Sequence, residues 1–341
     1  MHHQFRSDYT ELADNRILAA LNKYSLEQNI PYGFDYHSDN ASRYILDTFG
    51  SKDGKVYFLG GGTQTNLVFI SYCLRHYEGV ISADTGHINV HESAAIEGSG
   101  YKIITVTNQN GKIYPDQIKK ILVDNNDVHT VRPRMVYISN STEIGTIYSK
   151  KELEELYEFT KKNDLYLFID GARLGSALTS KENDLDKADL GRLCDAFYIG
   201  GTKNGFLFGE ALVINNKSLQ KDFANHIKNK GAMLAKGYAL GIQFEEAFKD
   251  GLYFELALHT NEMANLIKDG LKRLNVDMGE SPTNQIFVSF PREIANELMK
   301  EFGLEKWIDK GEEIVVRIVT SFSTKKEDVD DLLGYIEKLI K

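Results

Sequence analysis

Two short runs, Leu165 to Asp170 (LYLFID) and Ala196 to Gly200 (AFYIG), are apolar almost without interruption. Neither alternates as a strand with one wet face would, so both are expected to be buried on both faces. Strands of that kind belong to parallel sheets covered by helices on either side, joined by helical crossovers. The surrounding chain fits. Further strand-like segments, at Lys55–Leu59, Gly79–Ala83, Lys102–Val106 and Arg134–Ser139, alternate with helix-like ones at Thr63–Tyr77, Val90–Glu97, Pro115–Leu122 and Lys150–Asn163. Glu210–Ile214 follows the last apolar run after a tight, glycine-rich connection. The pattern predicts an α/β fold, a mainly parallel seven-stranded sheet flanked by helices.

Outside this region the pattern changes. Glu11 to Leu26 reads as an amphipathic helix, and Asn29 to Asn40 as a polar loop rich in Tyr, Gly and Asp. After Asn215 a long helical region runs through Phe248, with a second helix at Leu252–Leu274. Strands at Gln285–Phe290 and Ile314–Thr320 and helices at Pro291–Glu301 and Lys326–Ile340 complete a smaller α+β unit. A chain of 341 residues exceeds the size at which single cores tend to split. The expected division is an N-terminal segment and helix over 1–30, a large cofactor domain over 31–240 and a small C-terminal domain over 241–341.

Composition excludes some functions. The formal charge is −9, from 40 Lys and Arg against 49 Asp and Glu, which favours neither nucleic acid nor an anionic membrane as partner. No apolar run approaches the roughly 18 residues of a membrane span, and the start lacks a signal-peptide apolar stretch. Cys73 and Cys194 fit no disulfide framework or metal pattern, so a reducing cytoplasm is the simplest compartment.

Three motifs carry chemistry. Gly60-Gly61-Gly62-Thr63-Gln64-Thr65-Asn66 lies where a strand turns into a helix. Its glycines allow close backbone approach, and a helix N-terminus offers free N–H groups to a phosphate. It has neither the Walker A lysine nor the G-x-G-x-x-G spacing of a dinucleotide fold, which disfavours a nicotinamide oxidoreductase. Asp170 ends a buried strand, where open α/β sheets place ligands. A carboxylate there can hold a pyridinium nitrogen protonated; its ordinary alternatives are a helix cap or an ion pair with Arg173. Lys203, in Gly200-Gly201-Thr202-Lys203-Asn204-Gly205, follows the next buried strand, a position suited to a desolvated Schiff-base lysine. Any one of these is weak alone. Phosphate loop, strand-end Asp and strand-end Lys together are the order that pyridoxal 5′-phosphate (PLP) needs. His87, at another strand end, can stack on the ring.

At these residues the chain resembles the threonine aldolase / β-eliminating lyase family of fold-type I PLP enzymes, over about Phe5 to Leu339. The most specific stretches are Gly62–Asn66, Thr85–Glu92, Asp170–Arg173 and Gly201–Lys203. The resemblance implies that Gly62 and Thr63, beside Gly61 and Thr202, bind the phosphate end. His87 stacks on the ring, Asp170 meets its nitrogen and Lys203 carries the cofactor. It implies that Ser7, Arg173 and Arg317 hold the substrate carboxylate, with Tyr32 at the substrate side. Two departures stand out. Glu143 occupies the place of a second family histidine, and no phosphate-side arginine stands in Gly231–Gly237, where Lys236 can supply the charge from this chain or a neighbour. The group that takes the β-hydroxyl proton is left open between His87, Glu143 and a water.

The function so implied is aldol cleavage of a β-hydroxy-α-amino acid, of the L-threonine or L-allo-threonine type, to glycine and an aldehyde. The alternatives are a β-eliminating amino-acid lyase of the same fold and a non-catalytic PLP-binding protein, the latter disfavoured by Lys203. The resemblance, with the unpartnered Tyr32–Asp35 loop and Lys236, implies a homodimer or homotetramer.

Overall fold

The computed structural model describes residues 2–341. The first elements are α1 (Asn15–Lys23), α2 (Tyr36–Thr48), β1 (Lys55–Leu59), α3 (Gly62–Cys73), β2 (Glu78–Ala83), α4 (His87–Val90), β3 (Lys102–Val106) and α5 (Pro115–Asp124). They continue with β4 (Arg132–Ser139), α6 (Lys150–Lys162), β5 (Tyr166–Asp170), α7 (Leu174–Leu178), β6 (Ala196–Gly200) and β7 (Glu210–Ile214). The remainder is α8 (Phe223–Asn229), α9 (Tyr238–Lys249), α10 (Leu252–Arg273), β8 (Gln285–Pro291), α11 (Arg292–Phe302), β9 (Glu305–Asp309), β10 (Glu313–Val319) and α12 (Lys326–Ile340).

The seven-stranded sheet has the order β1-β7-β6-β5-β4-β2-β3. β7 runs antiparallel to both its neighbours, and the pairs from β6 to β3 are parallel. Side chains divide by parity. Val136, Ile138, Leu167, Ile169, Phe197 and Ile199 join the core that includes Ile45 of α2 and Phe244 of α9. Met135, Tyr137, Phe168, Ala196 and Tyr198 join the opposite core, with Phe69 of α3 and Phe223 of α8. Double-sided burial is what the apolar runs required. The strand ends after β5 and β6 approach so closely that a Cβ on Gly171 would lie 1.8 Å from the Tyr198 carbonyl oxygen, and one on Gly200 2.2 Å from that of Ala172. Only glycine fits at either place.

The small antiparallel sheet, ordered β8-β10-β9, packs against α11, with α12 behind. Its core includes Phe5, whose backbone bonds to Phe302 and Val319 tie the start of the chain to this unit. The boundary expected after residue 240 falls inside α9. Phe244, Ala247 and Phe248, and Leu252, Tyr253 and Leu256 of α10, pack in the large sheet's core, while the small core takes over at Ala264.

Several local expectations are corrected. The segment read as loop to Asn40 enters α2 at Tyr36, where the Asp35 carboxylate caps the helix by accepting from Ser38 N at 2.9 Å. Its buried face opens on the polar His37, Ser38 and Asn40 ahead of Ala41 and Ile45, so no apolar period marked where the helix begins; Ser38 packs on Gly241 of α9, where a Cβ would come within 2.4 Å. The helix expected at Val90–Glu97 does not form: the single turn α4 ends at Val90, and Ser93 and Ala94 have positive φ angles. The long helical region to Phe248 breaks between α8 and α9, with Gly231 at φ +70°. β9 was not foreseen: EKWID is an outer strand with no buried residue. Among the described residues no helix is long and apolar enough to cross a membrane.

Candidate active site

Five strands deliver residues to one edge of the sheet. β1 ends before Gly60–Gly62, β2 before His87, β4 before Glu143, β5 at Asp170 and β6 before Lys203. These are carboxyl ends of strands running the same way, where an open α/β sheet leaves its crevice. The crevice is a cavity of about 400 Å³ lined by Gly61, Gly62, Thr63, His87, Glu143, Asp170, Arg173, Thr202 and Lys203. It adjoins a second space of about 260 Å³, which shares His87, Glu143, Arg173 and Lys203 and adds Glu305, Trp307 and Arg317. Tyr9 and His91 line both.

At one end, α3 begins without a side-chain cap. Its first-turn N–H groups have no intrahelical partner. A Cβ on Gly61 would meet nothing within 4 Å, so the cradle is open beside the free N–H groups and can receive a phosphate. At the floor, Asp170 is buried and accepts from Tyr137 Oη (2.5 Å), Asn66 Nδ2 (3.1 Å) and Ala172 N (3.0 Å). Burial favours the neutral acid. The His87 charge and the hydroxyls of Tyr137 and Tyr198 outweigh it and hold the carboxyl below its ordinary value. Asn66 Nδ2 also donates to Glu92 Oε1 (2.8 Å), which bonds His87 Nδ1 at 2.7 Å. Glu92, itself buried, thus fixes the His87 ring and joins it through Asn66 to Asp170.

Lys203 is partly buried, and its ammonium has no hydrogen-bond partner among the described side chains. Burial and the Arg173 charge lower its proton affinity, against the pull of Asp8, Asp170 and Glu210. Burial pushes the Glu210 carboxyl up to about 8. Glu143, at the place of the absent histidine, accepts from Ser139 Oγ (2.6 Å) and His87 N (2.9 Å), both on Oε1, and burial raises its carboxyl.

Not every expected residue is free in the crevice or lines it. Arg173 spends Nε and Nη2 on Asp8, at 2.7 and 3.0 Å, so its carboxylate is supplied from within the chain. Ser7 is buried beside that pair and lines neither cavity. Tyr32 and Lys236 lie together elsewhere: Tyr32 N donates to Ala235 O, and Tyr32 lines a separate cavity of about 540 Å³. Neither lines the two spaces around Lys203. The sequence reading missed Asn66 and Glu92 as bridging groups, and Tyr137, Tyr198, Asp8 and Glu210 altogether. Strand parity was a usable signal for the tyrosines, since Tyr137 and Tyr198 share the sheet face of Phe168 and Asp170.

Known proteins resemble this chain in sequence and in fold. A threonine aldolase structure from Leishmania major superposes with a TM-score of 0.97 at 40% identity, covering 99% of this chain and all of that one. A low specificity L-threonine aldolase of Pseudomonas sp. (strain NCIMB 10558) is 31% identical over 270 residues, 77% of either chain. Thermus thermophilus aspartate aminotransferase, at 13% identity and a TM-score of 0.73, shares the fold alone, across 99% of this chain and 91% of its own. The architecture expected from the sequence, that of fold-type I enzymes, is the one found. The model of the β-eliminating lyase family matches residues 4–292, and the chain belongs to that family of enzymes.

Proposed function

We propose that this enzyme uses PLP, carried on Lys203, to cleave a β-hydroxy-α-amino acid of the L-threonine or L-allo-threonine type into glycine and an aldehyde. The observation that carries the reading is Lys203 itself. It is an unpartnered, partly desolvated lysine between an open helix-N-terminal cradle and a buried, charge-stabilised carboxylate. The residues present fit the cofactor. The N–H groups at Gly61, Gly62 and Thr63 would hold its phosphate, Asp170 its ring nitrogen, and His87 offers a fixed planar group for the ring. When bound, PLP supplies an electron sink for the bond that breaks at Cα.

The chain's own groups do the rest. Asp170 keeps the ring nitrogen protonated. Arg317 orients the substrate carboxylate, and Glu143 takes the β-hydroxyl proton on Oε2, which accepts no hydrogen bond among the described residues. The raised proton affinity of Glu143 suits that transfer. The 40% and 31% identical relatives, both described as threonine aldolases, support the aldol reading. Product analysis on a panel of β-hydroxy amino acids tests it. Glycine plus aldehyde is expected; pyruvate plus ammonia from a substrate with a leaving group at Cβ, with no aldehyde from any panel member, would mean β-elimination instead.

We further propose that the working unit is a homodimer or homotetramer in a reducing cytoplasm. Tyr32, Phe34 and Tyr36 are 40%, 60% and 70% exposed, a cluster of aromatic surface that suits a second copy of this chain. Lys236 in the same region then reaches a neighbour's phosphate site. Sedimentation showing a fully active monomer at assay concentration contradicts this. The two cysteines are free, which supports the compartment.

A further inference from the structure

Arg173 and Arg317 both hold a carboxylate of this chain, in opposite ways. The Nε/Nη2 edge of Arg173 is filled by the two oxygens of Asp8, whose side chain is 1% exposed and also accepts from Asn284 Nδ2 (3.0 Å). Asp8 is enclosed by the protein, while Arg173 still lines both cavities. The same edge of Arg317 is half filled. Nη2 donates to Glu305, while Nε is buried with no partner; Nη1 is engaged separately by Gln285 Oε1 at 3.1 Å. A buried N–H without an acceptor is unfavourable, and a planar carboxylate reaching Nε and Nη2 together would satisfy both.

Glu305 makes the Nη2 bond alone. It heads β9, the outer strand of the small sheet, paired with Arg317 across the register just past a bulge at Val315/Val316. Its side chain is 45% exposed, so it leaves Arg317 for water without breaking the core. Trp307, two residues on, packs its ring 5.3 Å from the Arg317 guanidinium carbon and keeps the arginine in place when Glu305 moves.

We propose that Glu305 is an intramolecular competitor for the substrate α-carboxylate. It holds Nη2 of Arg317 and yields it when a carboxylate takes Nε and Nη2 together. This rests on the reading above that Arg317 anchors the substrate. Binding is then an exchange of one carboxylate for another, and Glu305 sets how tightly amino acids are held. Glycine keeps its carboxylate after the aldehyde leaves. Glu305 returning to Nη2 therefore weakens the hold on product as well as on substrate.

The test uses Glu305→Gln, which keeps the size and removes the charge. In the cofactor-free protein, acetate is titrated while the Arg317 Nε–H resonance, assigned with Arg317→Lys, is followed by NMR. The acetate midpoint is expected to fall about threefold to fivefold in Glu305→Gln, the range for losing a partly exposed ionic competitor. In the PLP-loaded enzyme KM and the glycine inhibition constant should fall by a similar factor, with the change in KM rather than kcat. Equal acetate midpoints, or a KM that rises in Glu305→Gln, overturn the proposal and make Glu305 a residue that positions Arg317. If acetate behaves as expected but wild-type protein cleaves no β-hydroxy amino acid, the competitor stands and the aldolase reading falls.

Discussion

Replacing Asp170 by Asn keeps the shape of the side chain and removes a charge that the site is built around. Three neighbours donate to it at hydrogen-bond distance, Tyr137 Oη and Asn66 Nδ2 to Oδ2 and Ala172 N to Oδ1, and the Tyr198 hydroxyl adds to them. An amide has only one acceptor oxygen. Either its NH2 faces the backbone N–H of Ala172, or it faces Tyr137 and Asn66, of which only the tyrosine hydroxyl can turn to accept. One buried donor is left unsatisfied, which costs about 1–3 kcal/mol. The cofactor-free variant should therefore lose about that much stability in urea unfolding. The functional loss is larger, because a neutral amide no longer holds the ring nitrogen protonated. Removing a preorganised group of this kind commonly lowers kcat by about 10² or more. The assay is aldehyde release at saturating PLP, with cofactor occupancy read from absorbance. Near-normal kcat in Asp170→Asn with the cofactor bound would refute the role given to this carboxylate, and an unchanged unfolding free energy would refute the hydrogen-bond count.

Other consequences are as direct. Arg317→Lys keeps a positive charge but loses the two-pronged edge, so KM should rise and kcat/KM fall by about tenfold or more. Loss of PLP or of the fold with unchanged substrate affinity would make Arg317 structural. Burial pushes the Glu210 carboxyl up from an ordinary 4.5 to about 8. The folded state then binds more protons than the unfolded one between those values, so the Glu210 contribution to stability falls as pH rises through that window. Glu210→Gln should remove this loss, leaving the cofactor-free variant more stable than wild type above pH 8 by about 1 kcal/mol or more. A wild-type-to-variant difference that is the same at pH 5 and pH 8.5 would contradict it.

What the sequence made legible was what strong local patterns encode. The runs ending in Asp170 and Gly200 announce doubly buried strands, and Asp170 and Lys203 stand at ligand-facing ends that topology then brings together. Elements without such a pattern stayed hidden. The buried face of α2 begins with His37, Ser38 and Asn40 before any apolar residue, and β9 has no buried residue to give a period. The groups around the site were hidden for another reason: their partners are remote in sequence. Asn66 bridges residues 26 and 104 positions away, and Arg173 meets an aspartate 165 positions earlier. Nothing local to Arg173 reveals that Asp8 takes its Nε and Nη2.

The proposed chemistry turns on Lys203 as the residue that carries the cofactor. Borohydride reduction of the PLP-loaded protein, followed by peptide mass spectrometry, tests it most directly. The visible absorption band should vanish and a pyridoxyl group should remain on the peptide containing Lys203, while Lys203→Ala retains no covalent pyridoxyl group after reduction. A stoichiometric adduct on any other lysine, or a PLP-loaded wild-type enzyme with no covalent adduct at all, would contradict the account.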